Sequence, residues 1–148
     1  MTLLSQAIFS FLSVVGFSIL FNLPRKLIIP ASISGMIGWI IYLSVQDPTT
    51  NFIVPAFLGS IAVGIVGEVF AVVLKHPATI FTIPGIIPFV PGYGIYYTMF
   101  HLVEKDFDKA MTAGTESLFI AISIACGIVM AATFVRLIRP GIEKVFKL

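Results

Sequence analysis

The chain has 148 residues, of which 58% are apolar and only 11% charged, and its mean hydropathy is +1.07. These values lie outside the soluble range and describe an integral membrane protein. The net charge of +2 is small and the bases are dispersed at the edges of apolar runs, which excludes a nucleic-acid partner and fits a set of topology signals.

Crossing about 30 Å of hydrocarbon takes roughly 20 apolar residues in a helix. The first such run is 3 to 21. The N-terminal MTLLSQ carries no basic side chain and no small-residue cleavage site closes the run, so it is expected to persist as a helix. Further runs follow at 27 to 45, 53 to 74, 78 to 103 and 115 to 137. The segments between them, 22 to 26, 46 to 51, 75 to 77 and 101 to 114, are too short for a soluble domain. The expected fold is therefore all-α: one domain over 1 to 148 with five transmembrane helices, the fourth broken by Pro and Gly, and a basic tail at 138 to 148.

Basic residues are retained on the cytoplasmic side. With five crossings, Arg25, Lys26, Lys75, Arg136, Arg139, Lys144 and Lys147 collect on one side, against Lys105 and Lys109 on the other. This places the N-terminus outside and the C-terminus in the cytoplasm. A re-entrant fourth segment would put the basic tail opposite Arg25, Lys26 and Lys75, so the fourth segment is expected to cross.

That segment, FTIPGIIPFVPGYGIYYTM at 81 to 99, sets Pro84, Pro88 and Pro91 among aliphatic residues and adds Gly85, Gly92 and Gly94. Each proline lacks an N–H and obstructs the carbonyl four residues back, which predicts unpaired carbonyls at Ile80, Pro84 and Ile87. In hydrocarbon such groups cost several kcal/mol each, so irregular backbone survives only where protein covers it or a watery cavity reaches it. A half-helix resuming near Tyr93 presents free N–H groups and a partial positive charge, suited to a carboxylate. Discontinuous helices serve secondary transporters in this way. Tyr93, Tyr96 and Tyr97 add hydroxyls, although tyrosines are also common interfacial anchors. The alternative is that the prolines only kink a packing helix whose freed groups are satisfied by neighbours.

Glu68 lies inside the third run, roughly 10 Å along the axis from Lys75. A charged carboxylate there costs about 2.5 to 3.5 kcal/mol on insertion scales, so it needs a partner, a cavity or a proton. Ser60, Gly64, Gly67, Glu68, Ala71 and Lys75 share one small or polar stripe. Glu68 is thus the candidate proton-linked or substrate-facing acid, with a structural pair to Lys75 as its alternative. Glu116 reads as an N-terminal cap of the last helix. Ser123 and Gly127 read as helix packing, Cys126 as packing, and His76 and His101 as interfacial residues. An enzyme is not expected: the cysteine is isolated, no histidine pair has metal-ligand spacing and no serine sits in a nucleophile elbow. No cofactor and no metal are expected.

The stretch HPATIFTIPGIIPFVPGYGIYYTM at 76 to 99 strongly resembles the signature of the small split-subunit members of the threonine/serine exporter family. FNLP at 21 to 24, the Glu68 helix and the five-helix length are similar to that family too, so the resemblance covers most of the chain. It implies export of small hydroxy amino acids or dicarboxylates across the inner membrane, driven by protons as an antiport. It also implies a larger partner subunit with a hydrophilic N-terminal region and five more helices, inserted in the opposite sense. Copies of this chain could also pair with one another. The matched positions are Glu68 as the intramembrane acid and Pro84, Gly85, Pro88, Pro91, Gly92 and Gly94 as the unwound element. Asn22 and Pro24 match as well, as residues that turn the chain. Two competing readings stand beside the exporter: a non-transporting scaffold subunit that stabilises a larger membrane partner, and a channel.

Overall fold

A computed structural model describes residues 3–46 and 52–146, with side chains described to residue 138. The expected break at 46 to 51, apart from Gln46, and the side chains of Arg139, Lys144 and Lys147 lie outside the described residues. The described residues are all helix and turn: α1 (Leu3–Leu20), α2 (Arg25–Val45), α3 (Ile53–Leu74), α4 (Thr79–Gly85), a 3-10 turn (Ile87–Phe89), α5 (Gly92–Val103) and α6 (Phe107–Phe146). Four of these helices are long and apolar enough to cross a membrane. The stretches Thr79–Phe89 and Gly92–Val103 together make a fifth candidate, bent by 55°.

Three helix ends share one device. Asn22, Lys75 and Lys105 all take φ between 55° and 62°, the left-handed conformation that closes a helix. After α1, the Asn22 N–H donates to the Ile19 carbonyl and the Leu23 N–H to the Ser18 carbonyl, and α2 then begins directly after Pro24. The FNLP motif is therefore a helix stop followed by a helix start. Leu23 packs beside Leu27, Ala31 and Phe81, which seals that end of the bundle.

Neighbouring helices meet at glycines. Lipid tails supply no hydrophobic drive between helices, so close backbone packing carries the association. A Cβ on Gly38 of α2 would lie 2.9 Å from the Gly59 carbonyl oxygen of α3 and 3.0 Å from the Phe89 ring. One on Gly85 of α4 would stand 2.8 Å from both Ser34 Oγ and Val63. Gly127 of α6 lies directly against Ser60 of α3, and Ser123 Oγ donates to the Ile53 carbonyl at 3.0 Å. Ser123 and Gly127 thus join helices as expected.

The same contacts fix direction. Along α3 the partners of Ile53, Ser60 and Gly64 on α6 are Ser123, Gly127 and Ala131, so the two helices run parallel. A parallel α3 and α6 require the connection between them to return the chain to the other end of the bundle. Residues 79 to 89 do most of this, with Phe81 packed beside Leu27 and Ala31 at one end and Phe89 beside Ala56 and Ile124 nearer the other. The fourth segment thus runs from one end of the bundle to the other rather than returning to the end where it began.

The last helix departs from expectation. It starts at Phe107 instead of 115 and has 40 residues, about 60 Å of helix. The polar stretch DKAMTAG, expected in a loop, is helical because Asp106 caps it: its carboxylate accepts from the Lys109 N–H at 3.3 Å, and its carbonyl from the Ala110 N–H. Lys109 Nζ closes on the other carboxylate oxygen at 2.8 Å. Glu116 therefore sits in the third turn of α6 and is not its cap. Cys126, expected to serve in packing, is exposed on α6.

Two predictions follow from this architecture. Gly38→Val drives a side chain into Gly59 and Phe89 and is expected to cost about 1 to 3 kcal/mol, read as a lower thermal midpoint in detergent. Hydrogen bonds from the Lys109 side chain and amide, then its charge, hold the Asp106 carboxyl below the ordinary carboxylate range. The cap's contribution is then complete above the unfolded value of about 3.9 and disappears as pH falls through the lower folded value. Amide exchange in the first turn of α6, corrected for intrinsic rates, should quicken in that acid window and lose the dependence in Asp106→Ala.

Candidate functional site

The interruption is spread over two levels of the bundle. Pro84 and Gly85 lie at mid-bundle, both buried, with Gly85 against Ser34 and Gly35 of α2 and Val63 of α3. Ser34 Oγ donates to the Ala31 carbonyl at 2.7 Å and to the Phe81 carbonyl at 3.2 Å, so α2 supplies a polar partner to the backbone of α4. The 3-10 turn also recovers a group expected to be stranded, because the Ile87 carbonyl accepts the Val90 N–H at 3.2 Å. The sequence argument counted only helical partners and missed this tighter one.

Open space begins one turn further on. A cavity of about 360 Å³ is lined by Pro88 to Gly94 of the break, by Trp39 and Tyr42 near the end of α2, by Phe52 before α3, and by Glu116, Ser117 and Ile120 of α6. Its place follows from the chain ends: α2 stops and α3 starts at this level, and Ser123 of α6 lies beside Ile53. The N-terminal part of α6 and the antiparallel α5 continue past it, joined where Gly94 touches Ser117 and Gly114 approaches Thr98. The cavity is thus near one end of the bundle and not at its middle.

Along the first turn of α5, the Gly92 N–H bonds the Val90 carbonyl at 2.7 Å and the Ile95 N–H bonds the Pro91 carbonyl at 3.0 Å. The N–H groups of Tyr93 and Gly94 take no backbone acceptor among the described residues, and Pro91 offers no side-chain cap. Two free donors at a helix N-terminus therefore border the cavity. Of the nine break residues singled out from sequence, Pro88, Pro91, Gly92, Tyr93 and Gly94 line it. Pro84 and Gly85 do not, and neither do Tyr96 and Tyr97. Tyr97 instead packs among Tyr93, Tyr96, Phe100 and His101 in an aromatic row along α5, with the Tyr93 ring centroid 4.4 Å away.

On the opposite side of the break, a larger groove of about 590 Å³ runs between α5 and α6 over Val90, Ile95, Met99, Leu118 and Ala121. Its lining is apolar, as befits a surface turned to lipid.

Glu68 is elsewhere. It is half-buried about 22 Å along α3 from Ile53, and it lines none of the cavities described above. Among the described residues it forms no ion pair, so the alternative reading of a bridge to Lys75 is not met; Lys75 closes α3 in the left-handed conformation. The small residues of its stripe are packing positions: Ser60 and Gly64 meet α6 and Gly67 meets Thr82 of α4. Glu116, Trp39, Tyr42 and Phe52 were not singled out as lining residues from sequence. They come from three distant segments, and only the fold brings them to the break.

Residues 6–134 match the family described as Threonine/Serine exporter, ThrE. The chain belongs to the threonine/serine exporter family. The match includes most of α1, all of α2 to α5 and most of α6, hence the whole break and its cavity. No solved structure matches the chain. Membership of an exporter family, with four to five apolar spans, makes the chain a multi-pass membrane protein of solute transport.

If the cavity is wet, its wall should be reachable by a polar reagent. With Cys126 replaced by alanine, Tyr93→Cys and Ser117→Cys are expected to react with a membrane-impermeant maleimide in nanodiscs, while Thr82→Cys, buried at mid-bundle, stays unlabelled. Equal labelling of all three would show an open mid-bundle, and none at 93 or 117 a dry cavity.

Proposed function

We propose that the chain is one half of a proton-coupled exporter of threonine, serine or related small solutes. The observation that carries this reading is the cavity at Pro88 to Gly94, formed in an exporter-family chain where the fourth span is interrupted. Its volume is in the range of small-ligand sites, and its wall joins apolar rings to a few polar groups. The free N–H groups of Tyr93 and Gly94 suit a solute carboxylate.

In this reading the solute and the proton occupy different places. Glu68 exchanges its proton from α3, and α4 carries the consequence to the break, since Gly67 beside Glu68 packs on Thr82 and Phe81 while α4 runs directly into the cavity wall. The distribution of basic residues supports an N-terminus outside and a C-terminus in the cytoplasm. An odd number of crossings makes the second half a chain of opposite insertion, which is the role of the larger partner subunit. The cavity end, where α2 stops and α3 starts, then faces outward.

Glu68→Gln is the test. In liposomes holding the whole exporter it is expected to abolish the pH-gradient dependence of threonine efflux, with unchanged assembly on size-exclusion chromatography. Coupling that survives the substitution would remove Glu68 from the mechanism.

A further inference from the structure

Resting on that reading, we propose that Glu116 and the aromatic wall facing it bind the primary ammonium of the solute, so that the cavity selects amino acids over dicarboxylates. The wall is built from rings that hold one another in place. Trp39 and Tyr42 stack at 4.9 Å with planes 4° apart, and Phe89 tilts against both at 5.8 and 5.7 Å. Trp39 is further fixed by its indole N–H, which donates to Gln6 Oε1 of α1 at 3.3 Å. With Phe52 and Tyr93 these rings make five aromatic side chains around one 360 Å³ space. Ring faces attract ammonium groups, the more so where water is partly excluded.

Glu116 is the acid of that space, and no base lines it. Glu116 is exposed, and among the described residues it has no ion pair; Lys109, the nearest base before it on α6, is held by Asp106 at 2.8 Å. A cavity with an acid, aromatic faces and no cation offers one pole of a zwitterion a strong partner. It gives the second carboxylate of a dicarboxylate only repulsion. The sign of the site therefore separates the two solute classes that the family resemblance leaves open.

The probe is threonine, with N-acetylthreonine and succinate as competitors, in efflux from liposomes holding the whole exporter. Glu116→Gln and, independently, Trp39→Leu are expected to raise the threonine KM by about tenfold with a smaller change in kcat, while neither competitor inhibits the unaltered protein. Unchanged KM in both variants, or inhibition by N-acetylthreonine equal to that by serine, overturns the ammonium site and leaves the exporter reading standing. Failure of the unaltered protein to export threonine overturns both. An aminophospholipid headgroup carries the same ammonium chemistry, so vesicles with and without phosphatidylethanolamine are compared. An effect of Glu116→Gln confined to vesicles that contain it assigns the site to lipid and overturns the solute assignment.

Discussion

A peptide dipole without a partner is not tolerated in hydrocarbon, and three prolines in one apolar span create the need for partners that the helix itself cannot supply. The remaining architecture can be read as the response. At mid-bundle the response is protein: Gly35 and Gly85 let α2 and α4 touch, and Ser34 reaches the Phe81 carbonyl. At the next level it is geometry, a 3-10 turn that pairs Ile87 with Val90. At Tyr93 and Gly94 donors stay free, and there the structure opens into a cavity.

Glycine placement makes this arrangement affordable in packing terms. Backbones of α2, α3, α4 and α6 approach so closely that a methyl group at Gly38, Gly85 or Gly127 would collide with a neighbour's backbone or hydroxyl. That closeness holds α4 in the core, while α5 has no buried residue and leans chiefly on α6. The bundle is tight around the first half of the fourth span and loose around the second. Open space and close packing thereby fall at different ends of one segment.

Much of this was legible in the residues. Uninterrupted apolar runs marked the spans of α1 to α3 because a bilayer imposes a length as well as a composition, and the Pro-Gly pairs marked the interruption. The start of α6 was not legible, since Asp106 to Ser117 is polar and the hydropathy signal registers only what lipid must cover. Misplacing that start turned Glu116 into a cap and hid it from the candidate site. Trp39, Tyr42 and Phe52 looked like ordinary apolar or interfacial residues, and no spacing rule links them to Pro88 or Gly92. Glu68 could be recognised as a lone intramembrane acid, but its distance from the break is a property of the packed helices.

In the proposed reading the proton and solute sites lie apart along the bundle, and α4 is the element that connects them. The interruption has a direct physical signature. Hydrogen–deuterium exchange of the chain in nanodiscs, resolved over residues 79 to 103, measures whether the backbone is open where the donors are free. Fast exchange at Tyr93 and Gly94, beside slow exchange at Thr82 and Ile86, is the outcome required by an interrupted span with one wet end. Protection at 93 and 94 equal to that in the middle of α3 would contradict it.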